Sequence, residues 1–205
     1  MKQNEHLNRR ILIIDDNQNI HSDFREVLMG KGNRAVNLAE TASEIFGTAL
    51  ESSDPELFEI DSALQGREGV EMVRSAADEV RPYALAFVDL KMPPGWDGIE
   101  TIQRLWQACP DLQVVVCTAH FECQWRDIIE ALGPTNKLLV LKKPYDNVEV
   151  VQMARVLTEK WILTRQASLK TEQLEQMVKE RTNELTRANE PLKEEIVERQ
   201  KAGLR

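Results

Sequence analysis

The chain has 205 residues and a formal net charge of −8 at pH 7. This length allows one well-cored domain with an appendage, and the acidic balance disfavours direct contact with a nucleic-acid backbone. No apolar run is long enough to cross a bilayer, and residues 1–10 are too polar for a secretory signal, so we expect a cytoplasmic protein without membrane contact. The three cysteines have no metal-binding or disulfide spacing and are expected to be reduced thiols.

Four short apolar runs each end in polar residues of a different kind. In chain order they are 11–14 followed by Asp15 and Asp16, 84–88 followed by Asp89, 114–117 followed by Thr118, and 138–141 followed by Lys142 and Lys143. Runs of this kind that alternate with helical patterns are typical of parallel strands, and open parallel sheets have their sites at the carboxyl ends of the strands. The sequence therefore predicts three carboxylates, a hydroxyl and an ammonium at one edge of a sheet.

The segments between these runs carry helical patterns and one further strand. A first helix is predicted from an asparagine cap, Asn17 or Asn19, to about Met29. Apolar and polar residues alternate at 57–61, which predicts a strand there. The remaining helices are expected from Gly66, with an apolar face of Val70, Val73, Ala77 and Val80, from a cap near Asp97, and over 121–132.

The polar groups at the predicted edge indicate a reaction. Carboxylates that are packed together repel each other unless a cation lies among them, and hard oxygen ligands suit Mg²⁺. A hydroxyl and an ammonium beside such an ion can hold an incoming phosphoryl group while a carboxylate attacks phosphorus. The pattern therefore predicts aspartyl phosphorylation.

Four segments of the chain resemble the signatures of the receiver domain of two-component response regulators: ILIIDDN, FVDLKMPPGWDG, VVVCTAH and LKKP. The resemblance covers 9–157 and implies the flavodoxin-like receiver fold, an α/β doubly wound parallel sheet of five strands. It implies that Asp89 accepts a phosphoryl group from a sensor histidine kinase or a phosphotransfer protein. The other implied roles are Mg²⁺ binding by Asp15, Asp16, Asp89 and the backbone carbonyl of Lys91, phosphoryl sensing by Thr118, and phosphoryl pairing by Lys143, which directly precedes Pro144.

Three features depart from the family pattern. Residues 34–56 form an insertion with the spacing of an amphipathic helix, which either adds a contact surface or only covers its own apolar face. Trp96 lies in an extended loop after Asp89, and it either projects beside the phosphorylation site or packs on its own loop. Val140 replaces the aromatic residue that usually couples to the threonine, so Phe121 or Tyr145 could take that role only if the geometry allows.

The carboxyl-terminal part is predicted to be one long helix. It begins at an Asp146 cap, and 158–189 contain neither glycine nor proline. The stretch 158–205 resembles a signalling-helix linker, and we expect a parallel homodimer through 158–190; the alternative is a monomeric helix folded back onto the acidic body. Pro191 predicts a kink or an end of the helix nearby. The expected seam of the coiled coil, with Arg181 weakening it, is Thr164, Ala167, Thr171, Leu174, Val178, Arg181, Leu185, Ala188 and Leu192.

Together these features predict a phosphoacceptor module that relays a signal through a dimeric helix to an output domain. No motif of an output enzyme follows in this chain. The alternatives are a regulatory fragment of a hybrid histidine kinase or of a cyclic-dinucleotide enzyme, and a phosphorylation-independent adaptor. A magnesium phosphohydrolase is disfavoured because the chain offers no second acid–base set.

Overall fold

The computed structural model describes residues 8–29, 58–119 and 128–202. Five parallel strands form one sheet in the spatial order β2-β1-β3-β4-β5. They are β1 (Arg10–Ile14), β2 (Glu59–Ala63), β3 (Leu85–Asp89), β4 (Gln113–Thr118) and β5 (Leu138–Lys142). This confirms the predicted five-stranded parallel sheet. The predicted insertion at 34–56 lies outside the described residues.

Four helices have described bounds: α1 (Gln18–Leu28), α2 (Gly66–Asp78), α3 (Gly98–Ala108) and α4 (Asn147–Ala202). Residues 128–132 are also helical, and the rest of the helix predicted over 121–132 lies outside the described residues. The predicted caps are present, because the side chains of Asn17, Asp97 and Asp146 each accept a backbone N–H bond from the first turn of their helix. The first helix is capped by Asn17 and not by Asn19.

Apolar side chains bury both faces of the sheet, as a doubly wound fold requires. Along β1, Leu12 and Ile14 point into a core shared with α2 and α3. Ile11 and Ile13 point into a second core, shared with α1 and the start of α4. Because successive side chains of a strand point to opposite faces, the continuous apolar runs of the sequence supply both cores. The polar residues that follow each run are left at the carboxyl edge.

The second strand lies at Glu59–Ala63, so the prediction of 57–61 was wrong in its bounds. The register of pairing with β1 explains the difference. Arg10 pairs with Glu59 and Ile14 with Ala63, and the N–H of Asp15 donates to the Ala63 carbonyl at 3.2 Å. The strand must therefore continue until it matches the end of β1, which the local alternation does not specify.

The buried face of α2 also differs from the prediction. Ala76 is buried in place of Ala77, and Val80 lies beyond the helix with φ 59° and 85% of its surface exposed. Two glycines set this face, because a Cβ at Gly66 would collide with the Thr101 side chain and a Cβ at Gly69 with Ile14. Close approach at these glycines rotates the helix away from the orientation that the larger apolar residues suggest.

The chain divides into two compact units, Met1–Ile162 and Leu163–Arg205. In the second unit, every side chain described from 163 to 191 is exposed. Helix α4 continues through Pro191 to Ala202, so the expected end near Pro191 was wrong, while a kink there stays a prediction. A proline removes one helical hydrogen bond, and the good helix formers on both sides of it sustain the helix. None of the helices in the described ranges is long and apolar enough to span a membrane.

Candidate functional site

Three of the predicted site residues meet at the carboxyl edge of the sheet. Lys143 Nζ lies 2.8 Å from Asp15 Oδ2 and 2.7 Å from Asp89 Oδ1, so one ammonium bridges two carboxylates. The three side chains come from the ends of β1, β3 and β5; β1 and β3 are neighbours in the sheet, and β4 separates β3 from β5. Lys142 is exposed, so Lys143 is the member of the lysine pair that reaches the carboxylates.

The chain fixes Asp15 at all of its polar atoms. Its N–H pairs with Ala63 in the ladder, and its Oδ1 accepts the Asn17 N–H at 2.9 Å. Its backbone carbonyl lies 2.7 Å from His21 Nε2, and its Oδ2 accepts from Lys143. Asp15 is buried, whereas Asp16 is exposed. Among the residues that the structure describes, no three acidic, His or Cys side chains form a metal-binding group.

Both carboxylate oxygens of Asp89 are also hydrogen-bonded. Its Oδ2 accepts the Lys91 N–H at 3.0 Å, and its Oδ1 accepts from Lys143. Burial raises the pKa of the Asp89 carboxyl; the hydrogen bond and charge of Lys143 offset this only in part, and the neighbouring charge of Asp15 raises the pKa further. Burial opposes the charge on Lys143, but its hydrogen bonds to Asp15 and Asp89 outweigh burial and raise the pKa of the ammonium. At this edge, Lys143 is therefore held in its charged form, whereas burial disfavours the charged form of Asp89 beside it.

A small pocket of about 180 Å³ opens beside these groups. Thr118, buried at the end of β4, lines it together with the exposed Ala119. Burial raises the pKa of the neighbouring Cys117 thiol, which therefore stays protonated. The pocket has the dimensions of a small anion and not of a nucleotide or cofactor. Its full lining is Asp89, Leu90, Lys91, Cys117, Thr118, Ala119 and Lys143.

The structure also locates the residues at which the chain departs from the family pattern. Val140 is half-buried in β5, and the ring of Tyr145 packs edge-on against Phe24 of α1 with centroids 5.3 Å apart. Phe121 lies outside the described residues. The Arg104 guanidinium lies 4.1 Å from the centroid of the Trp96 ring, so Trp96 packs on the helix that follows its loop.

His21 is the contact of this site that the sequence analysis missed. Its imidazole contacts the Asp15 carbonyl, although it lies on the buried face of α1 with Phe24 and Leu28. The available signal was a polar residue at a core-facing helical position, six residues after Asp15.

No protein-family model matches the chain, and no curated protein matches its sequence. Solved structures match its fold. A crystal structure of adenylate cyclase from Rhodopirellula baltica superposes with a TM-score of 0.56 and 18% identity, over 80% of this chain and 98% of that one.

Two further crystal structures carry receiver domains. The signal receiver domain of an HD domain-containing protein from Pseudomonas fluorescens gives a TM-score of 0.53 and 16% identity, over 77% of this chain and 91% of that one. A CheY-like receiver domain protein from Methanospirillum hungatei gives a TM-score of 0.51 and 16% identity, over 74% of this chain and 94% of that one. The sheet order, the carboxyl-edge cluster and these matches together show that the chain has the CheY-like fold of response-regulator receiver domains.

Proposed function

We propose that 9–157 form a cytoplasmic phosphoacceptor receiver module of a two-component phosphorelay. The observation that carries the proposal is the bridge from Lys143 to Asp15 and Asp89 beside an anion-sized pocket, within a receiver fold. The donor is the phosphohistidine of a sensor histidine kinase or a phosphotransfer protein. The acceptor is Asp89.

Asp89 is favoured over Asp15 as the nucleophile because its carboxylate lines the pocket and Asp15 does not. The Asp15 side chain is also the less accessible of the two, with 4% of its surface exposed against 12% for Asp89. In the reaction, an oxygen of Asp89 attacks phosphorus, the P–N bond of the donor breaks, and the electron pair of that bond stays on the imidazole nitrogen. Lys143 neutralises the charge of the transferred group, and the Thr118 hydroxyl donates to one of its oxygens.

The donor set fits Mg²⁺. Asp15 and Asp89 already converge on one cationic group, the Lys143 ammonium, and the exposed Asp16 carboxylate follows Asp15 directly in the chain. Hard oxygen atoms of this kind are the ligands that Mg²⁺ takes. The residues that would hold it are Asp15, Asp16, Asp89 and the carbonyl of Lys91. Mg²⁺ bound by these residues would supply positive charge that offsets the negative charge of the phosphoryl oxygens.

Substitution of Asp89 tests the assignment. The full chain is incubated with a radiolabelled acyl phosphate and Mg²⁺, and the hydroxylamine-sensitive label is counted. Asp89→Asn removes the nucleophile and is expected to abolish labelling. Asp97→Asn is the matched control, because it makes the same chemical change at a helix cap where asparagine also caps well. Label that persists in Asp89→Asn would contradict the assignment.

We also propose that the signalling helix pairs with a second copy in parallel through 158–190. Leu174, Val178 and Leu185 of the predicted seam are 58–64% exposed in the single chain. Their three- and four-residue spacing is the repeat that buries apolar side chains between two helices. The pair would carry the phosphorylation signal to an output domain as a change in helix spacing or rotation.

A further inference from the structure

His21 is a polar residue in an apolar part of α1. It shares the buried face of the helix with Phe24 and Leu28, and only 7% of its surface is exposed. Side chains at this spacing on one helix face normally supply core packing, for which a leucine or a phenylalanine serves as well. An imidazole at this position therefore needs a reason other than packing.

The imidazole makes one hydrogen bond. His21 Nε2 lies 2.7 Å from the backbone carbonyl oxygen of Asp15, and a carbonyl only accepts, so Nε2 carries the proton and donates. The other nitrogen, Nδ1, is buried and has no hydrogen-bond partner among the described residues. Burial of an unpaired acceptor destabilises the folded state, so the bond to Asp15 is the one favourable polar contact that the imidazole makes among the described residues.

That bond fixes the peptide between the two acidic residues. The N–H of Asp15 donates to the Ala63 carbonyl of β2, whereas the Asp15 carbonyl accepts its hydrogen bond from His21 and not from a neighbouring strand. The carbonyl of Asp15 and the N–H of Asp16 belong to one planar peptide unit. A donor that holds this carbonyl therefore sets the direction in which the chain leaves the sheet and presents Asp16.

We infer that His21 is a positioning residue for the acidic pair, and that it holds the Asp15–Asp16 peptide so that both carboxylates face one Mg²⁺. The inference rests on the proposed function, which supplies the metal. Without the donor, the peptide between the two carboxylates rotates more freely. Binding of the ion must then order that peptide, which weakens the affinity.

Three substitutions at His21 separate the hydrogen bond from the packing. The amide nitrogen of His21→Gln reaches about as far as Nε2, the amide of His21→Asn is too short, and His21→Phe fills the space without a donor. Calorimetric titration of each full chain with Mg²⁺ is expected to give affinity within about twofold of the unsubstituted chain for His21→Gln, and about tenfold weaker for the other two. If His21→Phe does not fold, the comparison of His21→Gln with His21→Asn still tests the hydrogen bond, because both substitutions introduce a polar amide.

Leu28→Ala is the matched control, because Leu28 is buried on the same face of the same helix. It should lower the stability of the fold and leave Mg²⁺ affinity unchanged. Equal affinity in all His21 variants, equal weakening in all three, or similar weakening in Leu28→Ala would overturn the positioning role. An unsubstituted chain that binds no Mg²⁺ would instead overturn the proposed metal site, and the positioning role with it.

Discussion

The two units of the chain use the same apolar residue types in opposite ways. In Met1–Ile162, strand residues such as Leu12, Leu85 and Val115 have no exposed surface. In Leu163–Arg205, Leu174, Val178 and Leu185 are more than half exposed. The first unit buries its apolar residues within itself, whereas the described apolar residues of the second are exposed. The same residue types therefore form a core in one unit and an uncovered surface in the other.

Charged residues differ between the units in the same sense. The Lys143 bridge is largely buried, and Lys143 and Asp89 act on each other's pKa, lowering that of the carboxyl and raising that of the ammonium. The ion pair between Arg181 and Glu184 is 2.9 Å long but stays exposed on both sides. Exposed pairs of this kind contribute about 0–1 kcal/mol to stability. The two units therefore differ in how strongly their charged groups interact.

Removal of the helix should give the largest effect. A chain shortened after Ile162 keeps Trp161, which is only 7% exposed, and loses the seam. We expect this chain to be a monomer that still labels at Asp89, and the full chain to be a dimer, as measured by light scattering.

Single changes in the full chain sharpen this test. Val178→Asp should disrupt the dimer because it places a charge in the seam. Leu169→Asp is the control, since Leu169 is an exposed apolar residue outside the seam. A full chain of monomeric mass would refute the coiled coil and favour a helix folded back on the first unit.

Core truncation should distinguish the units next. Leu105 of α3 is fully buried, so Leu105→Ala leaves a cavity and should lower the free energy of unfolding by about 2–5 kcal/mol. Leu169→Ala, an equal change at an exposed position, should alter it by less than about 0.5 kcal/mol. Chemical denaturation measures both. Similar losses at the two positions would mean that the helix is buried in the folded protein.

Replacement of the seam arginine should strengthen the dimer. Arg181→Leu adds an apolar side chain to the seam and removes only an exposed ion pair, so the dissociation constant of the dimer should fall about tenfold, or about 1.4 kcal/mol. Sedimentation equilibrium measures the change, and Arg187→Leu, outside the seam, is the control. A weaker dimer in Arg181→Leu would show that Arg181 makes a stabilising contact across the pair.

A final prediction concerns pH. The folded state raises the pKa of Asp89 above its ordinary 3.8, so folding favours the protonated form and stability falls as pH rises through the window above 3.8. Asp89→Asn, measured without Mg²⁺, should therefore unfold at higher denaturant than the unsubstituted chain at neutral pH. The difference in stability between the two chains should disappear below pH 3.8, where Asp89 is protonated in both the folded and the unfolded state.

The exposed Glu172 of the helix provides the comparison for this pH effect. Glu172→Gln should change the free energy of unfolding by less than about 0.5 kcal/mol at any pH, as exposed substitutions do. A destabilised Asp89→Asn at neutral pH would mean that the Lys143 bridge outweighs the burial of the carboxylate.

The sequence by itself determined the sheet and the edge at which its site lies. Short apolar runs that alternate with helical patterns are typical of parallel strands, and crossovers between parallel strands put their carboxyl ends at one edge. The residues that directly follow those runs, Asp15, Asp89 and Thr118, were therefore predictable together. A continuous helix through 189 was predictable for a similar reason, because helix propensity and the absence of glycine and proline over 158–189 act locally, whereas its continuation through Pro191 was not.

Only the tertiary structure decided how these parts meet. The bridge from Lys143 joins residues 54 and 128 positions apart, and no local pattern encodes which oxygen it reaches. The end of β2 is set by its register with β1, and the buried face of α2 by the close approach of two glycines. The bond from His21 to Asp15 has the same origin. Periodicity specifies which face of an element is buried, but pairing across elements specifies register, rotation and the contacts of each polar atom.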